Sequence, residues 1–155
     1  MHIRIAEEKD LSTLIKLKNV HDEGYYKALM KEMARGEAVI LVAEEDGEVC
    51  GQVALKYYGA SNHHDYPGIL DLRVAEDVRG NGIGSELIGV CEQLASMRGF
   101  NLIGITVNPA LNGRARRLYE RLGYIPTSRA PYLDGEYDGQ ENWVIDMTKR
   151  LVAIN

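Results

Sequence analysis

The sequence predicts an α/β chain built on a mixed sheet. Three observations carry that prediction. Strand-like and helix-like runs alternate along the chain. Asp46-Gly47 stands between two apolar runs, a strong hairpin signal. From Ile69 to Val107 a strand, a glycine turn, a helix and a second strand follow one another, a β-α-β unit whose strands should be parallel.

The elements follow in order. "HIRIAE" reads as a first strand. In "KDLSTLIKLK", Leu11, Leu14 and Ile15 share a helical face, with Asp10 or Ser12 as N-cap. "GYYKALMKEMARG" repeats the pattern through Tyr26, Leu29, Met30 and Met33, and Gly36 stops it. "AVILVAEEDGEVCGQVALKYYG" is the hairpin, "SNHHDYPG" a loop, and "ILDLRVAE" the next strand. A helix over Ile83–Arg98 carries Ile83, Leu87, Cys91, Leu94 and Ala95 at helical spacing and ends at Gly99. "NLIGITVN" is continuously apolar, as a strand covered on both faces should be. "NGRARRLYERLG" is a last helix with a core stripe of Leu111, Ala115, Leu118 and Leu122. "YIPTSR" and "NWVIDMTKRL" read as the final strands.

Composition narrows the function. A chain of 155 residues without repeats or a linker suits one domain, 1–155. A net charge of -5 argues against a broad nucleic-acid-binding face. Cys50 and Cys91 lie in separate apolar stretches and fit buried thiols in a reducing compartment. The first twenty residues do not resemble a signal peptide, and no window approaches the roughly 20 apolar residues of a membrane span. A cytoplasmic protein is expected.

The glycine turn is the chemical signal. Arg79-Gly80-Asn81-Gly82-Ile83-Gly84 lies at the carboxyl end of a strand, where such units place ligands. A helix starting there offers unpaired N–H groups and the positive end of its dipole, so the turn can cradle a phosphate or pyrophosphate. The dinucleotide fingerprint fails because Ser85 stands in the place of its last glycine, and no Gly-Lys-Ser/Thr follows as a P-loop requires. What remains is Arg-x-x-Gly-x-Gly.

On these residues, "LRVAEDVRGNGIGSELI" resembles motif A of the GNAT N-acetyltransferase superfamily. Downstream, Asn112, Ala115, Leu118, Tyr119 and Gly123 of "NGRARRLYERLGY" resemble its motif B. The order of elements from His2 to Leu151 fits as well. The resemblance implies a mostly antiparallel, V-shaped sheet with helices on both faces, splayed between "ILDLRV" and "NLIGITV" where acetyl-coenzyme A (acetyl-CoA) lies. By position, the backbone of Leu72 and Val74 meets the pantetheine arm. The N–H groups of Arg79, Gly80, Asn81, Gly82, Ile83, Gly84 and Ser85 hold the pyrophosphate. Asn112 reaches the arm from the other side, and Tyr119 points at the thioester sulfur. The implied reaction is direct transfer of acetyl to a primary amine, of a small cationic acceptor or of a protein N-terminus. No metal, nucleic acid or membrane is involved, and a homodimer is compatible.

The chemistry can be built from these residues. The amine must lose a proton, the thioester carbonyl needs a donor, and the thiolate benefits from a proton. Tyr119 suits the last task, and the resemblance suggests the Val74 N–H for the second. For the first, Asp71 is an unusual acid inside an apolar strand, with Leu70, Leu72 and Val74 expected on the opposite face. Its alternative is an ion pair with Arg73 on the same face.

Other features carry less. His63-His64-Asp65 lacks a third ligand nearby and reads as a solvated loop, from which a histidine could serve as base. "YLDGEYDGQEN" fails as a calcium loop because Ile145 stands at the twelfth position. It reads as a solvated turn or as an acidic rim that attracts a cation. Tyr25, Tyr26, Tyr57, Tyr58 and Tyr132 are candidates for an acceptor pocket, and Arg114, Arg116 and Arg117 face outward. Two rivals stand beside the enzyme: a non-catalytic acyl-CoA sensor on the same fold, and an interaction domain whose turn binds nucleotide as well as coenzyme A.

Overall fold

The computed structural model describes residues 1–18, 21–58 and 65–152. Its elements are β1 (His2–Ile5), α1 (Leu11–Leu17), α2 (Glu23–Ala34), β2 (Ala38–Glu45), β3 (Glu48–Lys56), β4 (Gly68–Val74), α3 (Ile83–Met97), β5 (Leu102–Val107), α4 (Gly113–Arg121), β6 (Ile125–Pro126), β7 (Tyr132–Tyr137) and β8 (Gln140–Arg150). Single 3-10 turns precede α1 and α3. The strands form one sheet in the order β1-β2-β3-β4-β5-β8-β6, with β7 on β8. Among the described residues the pairs are antiparallel except β4 with β5, the expected parallel pair of the β-α-β unit.

Both faces of the sheet are covered. Along β2, Ile40 and Val42 join Leu14, Tyr26 and Leu29 under α1 and α2, while Leu41 and Ala43 join Leu87, Ile88 and Cys91 under α3. Burial on both sides explains why this strand reads as a continuous apolar run. Both cysteines are buried and free.

Local sequence sets the boundaries. Asp46 and Gly47 both take positive φ, as a two-residue hairpin turn requires. The Asp22 carboxylate accepts the Tyr25 N–H at 3.0 Å and starts α2. Asp10 occupies the cap position of α1 without capping it. Its carboxylate takes both terminal nitrogens of Arg4, at 2.8 and 2.9 Å, and the Glu7 N–H at 2.7 Å, so it fastens β1 to the first turn.

Three local readings change. The acidic stretch read as a solvated turn contains β7, and Asp138-Gly139 makes a tight turn into β8, with φ 52° and 76°. "YIPTSR" shrinks to the two residues of β6. Leu111 precedes α4 and is 68% exposed, so it is no part of that helix's core stripe.

Candidate active site

The site grows from an irregularity in β4. Gln52 faces Arg73 and Ala54 faces Leu70, so one β3 residue stands opposite two on β4. This is a β-bulge, and Asp71 sits in it with φ 59°, a left-handed conformation that aspartate tolerates better than most residues. The extra residue also shifts the phase of the strand. Leu70 therefore packs with the α1–α2 cluster while Leu72 and Val74 pack on the α3 side, against the expectation that all three share a face.

A bulge bends its strand and increases its twist, and here β4 leaves β5. The two pair only at Gly68 with Gly104 and Ile69 with Ile105. Beyond that point β5 stays with β8, through Val107 opposite Ile145. Among the described residues, no strand pairs with the inner edge of β4 from Leu70 to Val74. The Ala75 N–H points the other way, to Cys50 O on β3 at 2.8 Å. Alternation along the strand then turns the backbone groups of Leu72 and Val74 toward the opening.

The glycine turn closes one end of this opening. Gly80 and Gly82 have φ of 86° and 80°, and a Cβ built on either meets nothing within 4 Å. Gly82 caps α3 with no side-chain hydrogen bond to the first turn. Open space above left-handed glycines, uncapped N–H groups and a helix dipole fit a pyrophosphate. Gly84 differs: its Cβ would make ordinary contacts of 3.5–3.9 Å with Leu118, Leu72 and Val74, so here α3 lies against α4 and β4. Asn81 Nδ2 donates to Val78 O at 2.9 Å, and Arg79 Nε donates to Val74 O at 2.9 Å. These two side chains brace the turn, and the Arg79 N–H itself donates to Glu76 O at 3.4 Å, so it is not the free donor expected.

Helix α4 forms the other wall. Asn112 is its exposed cap residue and makes no capping bond, so its amide is available. Tyr119 is buried, with its ring edge-on to Tyr124. Its hydroxyl has no hydrogen-bond partner among the described residues, and burial pushes its pKa up to about 12. Arg116 pairs with Glu120, and Arg114 and Arg117 are exposed.

The far end is acidic and aromatic. Asp71 Oδ1 accepts His21 Nε2–H at 3.0 Å and lies 3.4 Å from Lys18 Nζ, while Oδ2 accepts the Tyr25 hydroxyl. Burial opposes its charge, but the His21 and Tyr25 hydrogen bonds and the Lys18 ammonium prevail and hold its pKa below the usual carboxylate range. The ion pair with Arg73, the alternative reading of Asp71, does not form. The His21 ring stacks on Tyr25 and meets Tyr137 of β7 edge-on at 6.5 Å. Burial, Asp134 and Asp71 all raise the Tyr137 pKa. On β8, buried Asp146 accepts the Tyr132 hydroxyl at 2.6 Å and pairs with Arg129 at 3.4 Å. Of the candidate tyrosines, Tyr25 and Tyr132 reach these carboxylates, Tyr26 and Tyr57 are core, and Tyr58 is exposed. His63 and His64 lie outside the described residues.

His21, Lys18 and Tyr137 are missed by sequence reasoning. One signal could have found the first two: a carboxylate in an apolar strand needs donors.

Residues 6–124 match the model of the acetyltransferase (GNAT) family. The chain belongs to the GNAT family. It is 30% identical over 135 residues to the uncharacterized N-acetyltransferase YhfO of Bacillus subtilis, covering 80% of this chain and 89% of that one. An N-alpha-acetyltransferase of Sulfurisphaera tokodaii is 29% identical over 150 residues, covering 86% and 87%. The fold matches that of yncA of Salmonella typhimurium, whose structure was solved with its cofactor acetyl-CoA. The TM-score is 0.80 at 20% identity, over 100% of this chain and 96% of that one.

This GNAT chain is thus an acetyl-CoA-dependent N-acetyltransferase, with the mixed, mostly antiparallel sheet and single parallel pair of the fold. Among the described residues no group of three or more His, Cys, Asp or Glu could hold a metal, and no helix is long and apolar enough to cross a membrane.

Proposed function

We propose that this acetyltransferase works in the cytoplasm and passes acetyl directly to the primary amine of a small cationic acceptor. The observation that carries the acceptor class is the acidic strand β7, whose Asp134 and Glu136 lead into Tyr137, the ring that meets His21 edge-on at 6.5 Å beside Tyr25. Asp134 and Asp71 both help to raise the Tyr137 pKa. Carboxylates attract an ammonium ion over distance, and tyrosine faces attract it at contact.

The residues divide the work. Backbone groups of Leu72 and Val74 bind the pantetheine arm along the open edge, and the Val74 N–H faces the thioester carbonyl. The turn from Arg79 to Ser85 holds the pyrophosphate, and Asn112 holds the arm from α4. Tyr119 gives its proton to the departing thiolate, a role for which a buried, protonated phenol is suited. Asp71 takes part in deprotonating the amine at the other end. Burial raises the pKa of both Cys50 and Cys91, which supports direct transfer over an acetyl-cysteine intermediate. Buried free thiols also fit a reducing cytoplasm.

The test is thiol release from acetyl-CoA with spermidine, with a peptide bearing an N-terminal alanine, and with glutamate. Spermidine should be preferred, and its kcat/KM should fall as salt is added. Preference for the peptide would move the acceptor to protein N-termini. Preference for glutamate would overturn the cationic reading.

A further inference from the structure

Both oxygens of Asp71 are engaged by donors: Oδ1 by His21 at 3.0 Å with Lys18 at 3.4 Å, and Oδ2 by the Tyr25 hydroxyl. An ionised carboxylate can only accept, so His21 must donate its Nε2–H. In the neutral ring the lone pair is then on Nδ1. No described residue bonds to Nδ1. The ring is also held in place. It stacks on Tyr25 with centroids 3.7 Å apart and planes 15° apart, and it meets Tyr26 and Tyr137 edge-on at 6.2 and 6.5 Å. One carboxylate fixes the tautomer, and three aromatic rings fix the orientation.

We infer that His21 is the group that takes the amine's proton, with Asp71 as its positioning residue. The inference rests on the amine-acetylating role above and names the base for it. One ammonium proton passes to Nδ1 and on to solvent. The freed lone pair forms the C–N bond as the C–S bond breaks. The thiolate takes the phenolic proton of Tyr119, and the second proton shed by nitrogen replaces it. Asp71 itself suits the proton-accepting task poorly, because its donors already stabilise the charged form. Among the described residues, the charged and titratable groups facing His21 are Lys18 at the end of α1, Tyr25 and Tyr26 of α2, Asp71 of β4 and Tyr137 of β7.

Two measurements on the full chain test this. The first is nitrogen-15 NMR of the His21 ring in wild type and in Asp71→Asn, on folded protein without acceptor. The neutral wild-type ring should be the Nε2–H tautomer, and the preference should weaken in Asp71→Asn. An Nδ1–H tautomer in wild type overturns the inference. The second is the pH dependence of thiol release from acetyl-CoA with spermidine or the alanine peptide. His21→Gln should lower kcat about 100-fold and lose the acidic limb of the profile, with the Kd for acetyl-CoA unchanged. Asp71→Asn should lower kcat but keep a limb, because the imidazole remains. A full-rate His21→Gln enzyme, or one that keeps the wild-type limb, also overturns the inference. If wild type releases thiol with neither amine, the acceptor reading fails, and the tautomer alone decides the pair.

Discussion

Arg79 Nε donates to the main-chain oxygen of Val74 at 2.9 Å, and this bond ties the glycine turn to the open edge of β4. In the proposed cofactor site, the pyrophosphate cradle and the pantetheine edge are braced against each other by this one side chain. Hydrogen bonds from charged donors contribute about 1.5–3 kcal/mol. Arg79→Ala should therefore weaken acetyl-CoA binding by roughly tenfold or more in a calorimetric titration, since about 1.4 kcal/mol is tenfold. Unchanged affinity would mean that the turn holds its shape without the brace.

Gly82 and Gly89 should respond oppositely to a side chain. Gly82 has φ 80°, so Gly82→Val forces a β-branched residue into a left-handed conformation and fills the open cradle. Strain of about 1–3 kcal/mol should lower Tm by several degrees. Acetyl-CoA affinity should fall more steeply than stability does. Gly89 lies inside α3, and its Cβ would also meet nothing within 4 Å. Gly89→Ala should raise Tm by about 1–4 °C and leave affinity unchanged. Differential scanning calorimetry beside ligand titration checks both.

Tyr119→Phe removes a proton donor from a buried position without changing its shape. Turnover should fall by about one to three factors of ten while acetyl-CoA affinity stays constant. Burial pushes the phenol's pKa up to about 12, so its ionisation should produce no alkaline limb in the rate profile below that pH. Wild-type turnover in Tyr119→Phe would remove this residue from the mechanism.

Acid stability should report the Arg4–Asp10 pair. The Arg4 hydrogen bond holds the Asp10 carboxyl below its ordinary value. A carboxyl with a depressed folded-state pKa contributes its stability above the unfolded value, near 3.9, and loses it as pH falls through the folded value. Asp10→Asn should be less stable than wild type at pH 7, by about 1–3 kcal/mol, because it removes the charged partner of two Arg4 hydrogen bonds and leaves the guanidinium to Glu44 alone. The gap should narrow below pH 4. Urea unfolding at the two pH values measures it.

What could be read from the sequence was local. The bare turn from Arg79 to Gly84, the Asp46-Gly47 hairpin and the helix opened by Gly82 all depend on backbone chemistry of adjacent residues. Leu72, Val74, Tyr119 and Asn112 entered only through the resemblance to the two family motifs. The partners of Asp71 did not. His21 and Tyr25 lie 50 and 46 positions away and meet it only after the sheet has formed. The bulge was hidden because its single extra residue alters pairing, not composition. β7 was hidden for another reason. Its acidic residues suggested solvent, although Asp138-Gly139 carries the same turn signal as Asp46-Gly47.

The most direct test of the account is calorimetric titration of wild-type protein with acetyl-CoA beside ADP. ADP can use the glycine cradle but has no pantetheine arm for the edge of Leu72 and Val74. Acetyl-CoA should bind tightly and ADP only weakly. Equal affinity for both would contradict it, because the opening between β4 and β5 would then contribute nothing to holding the acetyl donor.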